Sequence, residues 1–213
     1  VFDLDGTLID GFAAVHEALA YAVSRLGKTP PSLAETRSMV GYGLNKLVER
    51  AAGRGCVPEG VRLFREYYPR VAAARSRLLP GARETLAAIA EVGVAMAVAS
   101  NKPPDFSRMI LEAKGVAGRF RSIVGPDDRF PPKPDPTMLR ALMEETDSRP
   151  EETICVGDME VDVEFARAAG CRIAAVPTGA RSREFLESAI PDVLLDSLAE
   201  LPGALSDEMS AER

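Results

Sequence analysis

Apolar residues follow two different rhythms along this chain. Val1, Phe2 and Leu4 are strand formers and read as the end of a buried strand. From Gly11 to about Leu79 the rhythm is helical and no strand is expected. Ala14, Leu19, Ala22, Val23 and Leu26 recur at helical spacing up to a stop at Gly27. Leu33 to Val40 predicts a second helix ended by Gly41, and Leu44, Leu47, Val48 and Ala51 a third ended by Gly53. Pro58 opens a fourth, with Val61, Phe64, Tyr67 and Tyr68 on its apolar face; Pro69 is expected to end or kink it before Val71.

From Pro80 onward helix and strand alternate. Helices are predicted from Ala82 to Ala90, from Pro103 to near Gly115, from Pro136 to about Glu145, and through Phe165 and Ala169 to Gly170. Between them lie short, continuous apolar runs: Val94 to Ala99, Arg121 to Val124, Thr153 to Val156 and Arg172 to Val176, with Asp192 to Leu194 as a last edge strand. Continuous runs suit strands buried on both faces of a parallel sheet. The pattern predicts an α/β fold, a doubly wound parallel sheet, interrupted after its first strand by an all-helical insert. The expected division is a core of residues 1–11 and 80–213 and a helical cap of residues 12–79, with Ser206 to Arg213 a frayed tail.

Composition narrows the function. At 213 residues the chain can bury a sizeable core, and its net charge of −6 argues against nucleic acid as a partner. Three scattered cysteines, Cys56, Cys155 and Cys171, form no disulfide framework, so a cytoplasmic setting is expected. No apolar run reaches membrane-spanning length and no signal peptide is visible, so no membrane association is expected. The chain opens on Val1 inside a strand pattern, so a few residues of that strand are expected to precede it.

The chemistry collects at strand ends. Asp3 and Asp5 stand two apart in Asp3-Leu4-Asp5-Gly6-Thr7, on one face of an extended chain. Crowding two carboxylates needs a cation or a shared proton, so the stretch reads as a divalent-metal site or an acid/base pair, or as a plain surface turn. Ser100 follows one apolar run, Asp158 another, and Lys133 sits among prolines in a stiff loop.

Taken together, DLDGT at Asp3 to Thr7, Ser100 at a strand end, Lys133 before Pro134, and Gly157-Asp158-Met159-Glu160-Val161-Asp162 resemble, in order, the motifs of haloacid dehalogenase superfamily phosphatases. Within them the chain is most similar to bacterial phosphoglycolate phosphatases. The resemblance implies Asp3 as nucleophile, forming an aspartyl-phosphate, and Asp5 as leaving-group acid and then base. It implies Mg²⁺ held by Asp3, the Asp5 main-chain carbonyl and Asp158, with Asp162 a partner through water or a neighbouring ligand and sharing a helix face with Asp158. Ser100 and the Asn101 N–H would bind phosphate with Lys133; the other reading of Ser100 is a helix N-cap. Thr7 is expected to bond within its turn. Asp10 would orient the hinge or a water, or cap the first helix. In the cap, Arg37 and Lys46 are candidates for recognising a carboxylated substrate, against the alternative of solvated helix charges, and Tyr42 stands where smaller polar residues are common. His16 reads as a helix residue and Cys155 as packing. The implied partner is a small phosphate ester, with the protein a monomer or homodimer. A phosphomutase of the β-phosphoglucomutase type and a catalytically idle binding protein are the alternatives.

Overall fold

The computed structural model describes residues 1–127 and 129–205; the expected tail from Ser206 lies outside the described residues. Phe2 is bridged in parallel to Val98 on one side and to Val156 on the other. The opening segment therefore joins β3 (Ala97–Ala99) and β4 (Ser122–Val124) to β5 (Ile154–Gly157), β6 (Arg172–Ala175) and β7 (Val193–Leu194). The sheet runs β4, β3, opening segment, β5, β6, β7, all parallel. β1 (Ile9–Asp10) and β2 (Arg77–Leu78) form a separate antiparallel ribbon at the root of the helical block.

The apolar runs work because alternate residues enter opposite cores. Met96, Val98, Val156 and Ala174 pack with Leu86 and Ile89 of α5 (Ala82–Glu91) and Phe106 and Ile110 of α6 (Pro104–Ala113). Ala97, Ala99, Cys155 and Ile173 face the other way, onto Leu139 and Leu142 of α7 (Thr137–Thr146) and Phe165 of α8 (Glu160–Ala169). A short α9 (Arg183–Ser188) precedes β7. This is the doubly wound α/β core.

The helical block comprises α1 (Phe12–Arg25), α2 (Leu33–Met39), α3 (Leu44–Ala52) and α4 (Val57–Arg75). Ala18, Leu19 and Ala22 share one cluster with Leu63, Phe64 and Ala72, and Tyr21 stacks on Tyr67 with centroids 4.5 Å apart. Ser32 caps α2 in a reciprocal pair with Glu35. Among the described residues no helix is long and apolar enough to cross a membrane.

Some expectations need correction. The stretch before Leu79 holds a strand after all, Arg77–Leu78, which at two residues is too short to show a period and is defined by its long-range pairing with Ile9–Asp10. Pro69 does not end its helix: α4 runs on to Arg75, because Tyr68, Val71 and Ala72 are buried on either side and packing carries the helix past the lost N–H. The strand expected from Val94 starts at Ala97, leaving Val94 exposed. α9, started by Ser182 accepting from the Phe185 N–H, was not foreseen in the pattern.

Candidate active site

The opening segment lies where the sheet changes winding direction: β3 leads outward to β4, β5 to β6. Ligand sites form at such switch points, beyond the carboxyl ends of the strands. Asp3 leaves the segment there, with Ser100 following β3 and Asp158 following β5. Its backbone N–H is tied to Val156 (2.8 Å), so the carboxylate starts from a fixed position.

Carboxylate oxygens of Asp3, Asp158 and Asp162 come within 4.8 Å of one another, all in buried or nearly buried positions. Lys133 Nζ donates to Asp3 Oδ1 at 2.8 Å and to Asp162 Oδ1 at 2.7 Å. Burial alone would depress the Lys133 ammonium; Asp162 and Asp3 outweigh it and hold it above the usual lysine range. Among the described residues no cation pairs with Asp158. It accepts from the Thr7 hydroxyl and the Ala180 N–H, each at 3.3 Å. Burial, then repulsion from Asp3 and Asp162, pushes its carboxyl well above the normal range. Asp162 is raised to about 6 by burial, against the pull of Lys133. Three carboxylates with one ammonium between them make an oxygen-rich cluster short of positive charge, which a hard divalent cation fits.

Two glycines make room for Asp158. Gly6 takes φ +90°, and a Cβ there or at Gly179 would land on the Asp158 carboxylate. Thr178 donates to the Gly6 carbonyl at 2.6 Å and pins the two loops together.

Asp5 turns the other way. Its Oδ2 is 2.7 Å from Lys102 Nζ, which also donates to the buried Tyr68 hydroxyl at 2.9 Å. Burial raises the Asp5 carboxyl above its usual range even beside Lys102, and its buried Oδ1 has no hydrogen-bond partner among the described residues. A cavity of about 60 Å³ lies over Asp3, Asp5, Ser100, Asn101, Lys133 and Asp162, closed from above by the helical block.

The sequence-derived residues thus fall into three groups. Asp3, Asp5, Ser100, Asn101, Lys133, Asp158 and Asp162 meet at one place, although Asp158 sits in the loop before α8 and shares no helix face with Asp162. Thr7 bonds within its turn through its N–H, which donates to the Leu4 carbonyl at 3.3 Å, while its hydroxyl donates to Asp158. Ser100 does not cap α6, whose N-cap position is Pro103; the Ser100 hydroxyl accepts from the Lys102 N–H at 3.4 Å. The Asn101 side chain donates to the Gly41 and Lys133 carbonyls (2.9 and 3.2 Å) and accepts from the Lys133 N–H (2.7 Å). Asp10 is exposed and accepts from the Phe12 N–H at 3.3 Å, with Gly11 in the cap position of α1.

Arg37 and Lys46 do not line the cavity. Arg37 lies over the Phe12 ring and donates to the Gly179 carbonyl at 3.2 Å; Lys46 pairs with Glu49 on the surface. Tyr42 bonds Glu160, which Arg181 also grips at 2.8 Å. The His16 ring meets the Thr36 hydroxyl at 3.1 Å, and Cys155 is core packing. Lys102 is the residue the sequence reading passed over. Its one local signal is its place two residues after Ser100 on the same strand-end loop.

Comparison with known proteins places the chain in a family. The family model for haloacid dehalogenase-like hydrolases matches residues 1–176. The chain is 35% identical over 209 residues to a phosphoglycolate phosphatase of Pectobacterium atrosepticum, covering 94% of this chain and 88% of that one. A phosphoglycolate phosphatase of Vibrio parahaemolyticus is 35% identical over 211 residues, covering 94% and 92%. Among solved structures, a predicted phosphoglycolate phosphatase from Haemophilus somnus superposes with a TM-score of 0.88 at 26% identity, covering 96% of each chain. CbbY from Rhodobacter sphaeroides, solved in complex with phosphate, gives 0.79 at 25% identity and 94% of each chain.

Proposed function

The chain belongs to the haloacid dehalogenase-like hydrolases, and on that footing we propose that it is a magnesium-dependent phosphatase of small phosphate monoesters, 2-phosphoglycolate included, acting through an aspartyl-phosphate on Asp3. The observation that carries the reading is Asp3 itself. One carboxylate lies 2.8 Å from Lys133, within 4.8 Å of Asp158 and Asp162, and on the floor of a cavity it shares with Asp5 and Ser100.

In the proposed cycle an oxygen of Asp3 attacks phosphorus in line with the ester oxygen. The ester P–O bond breaks, and the departing alkoxide takes the proton of Asp5. Burial raises that carboxyl above its usual range, the direction a leaving-group acid needs, with Lys102 opposing it. Asp5 then takes a proton from water as the water oxygen attacks the phosphorus on Asp3. The Asp3–phosphorus bond breaks, phosphate leaves and the carboxylate is restored. Lys133 fixes the Asp3 side chain and, with the Ser100 hydroxyl and Asn101 N–H, would receive the phosphoryl oxygens. Asp3, Asp158 and the Asp5 carbonyl would hold Mg²⁺, with Asp162 beside it; when bound, the ion offsets the repulsion between Asp3 and a phosphate dianion. Residues 12–79 act as a cap that keeps water from the reacting atoms.

Two outcomes test the metal. EDTA should remove release of phosphate from an aryl phosphate and Mg²⁺ should restore it; activity indifferent to both contradicts the role. Gly179→Ala should weaken Mg²⁺ binding by roughly tenfold or more, the scale of disturbing a ligand's support, because the added methyl displaces Asp158. Calorimetry showing unchanged Mg²⁺ affinity in that variant would remove Asp158 from the metal set.

A further inference from the structure

We propose that the preferred ester carries an uncharged, largely apolar leaving group, and that 2-phosphoglycolate is a poorer substrate. The proposal rests on the phosphatase reading above and narrows its substrate class.

The cavity has two unlike ends. Its floor is the polar set around Asp3. Its roof is Val15, Val40, Leu44, Leu47 and Phe64, with bare backbone at Gly41 and Gly43. Among the described residues, the helical block places no charged side chain on the cavity. The nearby cations of the block are engaged elsewhere. Arg37 is held by Gly179 and Phe12, Lys46 by Glu49, and Arg50 by the Met39 carbonyl and the Tyr42 ring. The Tyr42 hydroxyl is taken by Glu160. On the core side, Lys133 is shared by Asp3 and Asp162, and Lys102 by Asp5 and Tyr68.

A leaving group leaves the floor once its phosphate is seated against Asp3, so it meets the roof. There a carboxylate would lose its water and, among the described residues, meet no cation of the helical block, while the two cations on the core side of the cavity, Lys102 and Lys133, already hold Asp5 and the Asp3–Asp162 pair; burial there is unfavourable without a compensating pair. An alkyl group in the same place exchanges water for Leu44, Leu47 and Phe64. One buried methyl-sized group discriminates by about 10- to 200-fold in an apolar pocket.

The matched pair is 2-phosphoglycolate and isobutyl phosphate, which puts two methyl groups where the carboxylate oxygens were. With Mg²⁺ present and phosphate release as readout, kcat/KM for isobutyl phosphate should be about tenfold higher or more. Leu44→Arg should move the ratio of the two esters toward 2-phosphoglycolate by a similar factor, since it puts a cation on the roof. Equal or better use of 2-phosphoglycolate by the unaltered protein would overturn the proposal and leave the phosphatase reading standing. No hydrolysis of either ester, nor of an aryl phosphate, would instead bring down the phosphatase reading beneath it.

Discussion

Asp3→Asn should abolish turnover and leave the fold intact. An amide in place of the carboxylate keeps its shape, and its carbonyl oxygen can still accept from Lys133, which remains bonded to Asp162 at 2.7 Å. What is lost is a nucleophilic oxygen and one negative charge. The first should lower kcat by roughly 10⁴-fold or more, the scale of removing a nucleophile. The second removes a carboxylate from a crowded cluster within 4.8 Å, so the melting temperature should hold or rise. Circular dichroism and thermal melting check the fold, and phosphate release checks the chemistry. Turnover within about tenfold of the unaltered protein would end the assignment of Asp3 as nucleophile.

Much of this site was legible in the sequence because its parts stand at strand ends, and strand ends are marked locally. Asp3, Ser100 and Asp158 each follow an apolar run, and a parallel sheet collects such positions on one edge. Helix stops were equally readable where Gly27, Gly53 and Gly93 take positive φ. The parts not legible depend on contacts across the fold. Nothing near Lys102 in sequence indicates that it will meet Asp5 and Tyr68, because that meeting requires α4 to lie beside the strand-end loop. The Asn101 side chain joins Gly41 of the helical block to the Lys133 loop, and only the folded chain brings those three together. Arg37 illustrates the converse. Its sequence position beside the loop of Gly41 and Gly43 suits a substrate cation, yet its charge goes to a core carbonyl and its plane to Phe12. Charge type was readable; the partner was not.

Lys133→Met should cost more stability than any other single change at this site. The ammonium is nearly fully buried and bonds two buried carboxylates, so its removal leaves Asp3 and Asp162 facing each other in a low-dielectric interior. Breaking a buried pair from one side costs about 3–5 kcal/mol, and turnover should fail as well, because Asp3 loses its anchor and the phosphate its cation. The comparison belongs in EDTA, so that Mg²⁺ cannot replace the lost charge. Its pH dependence has a definite sign. Asp162 already sits up at about 6 with Lys133 beside it, and without that ammonium the carboxyl rises further. A carboxyl raised in the folded state binds more protons there than in the unfolded chain, so stability falls as pH rises through that window. The deficit of Lys133→Met against the unaltered protein should therefore be largest near neutrality and shrink toward the ordinary carboxylate range, about pH 4. Adding Asp162→Asn should return part of the lost stability by removing one of the two stranded charges, and none of the turnover. A double variant no more stable than Lys133→Met, or a deficit that grows on acidification, would show that the lysine's worth lies in packing against Phe165, 5.3 Å from the ammonium, and not in holding these two acids together.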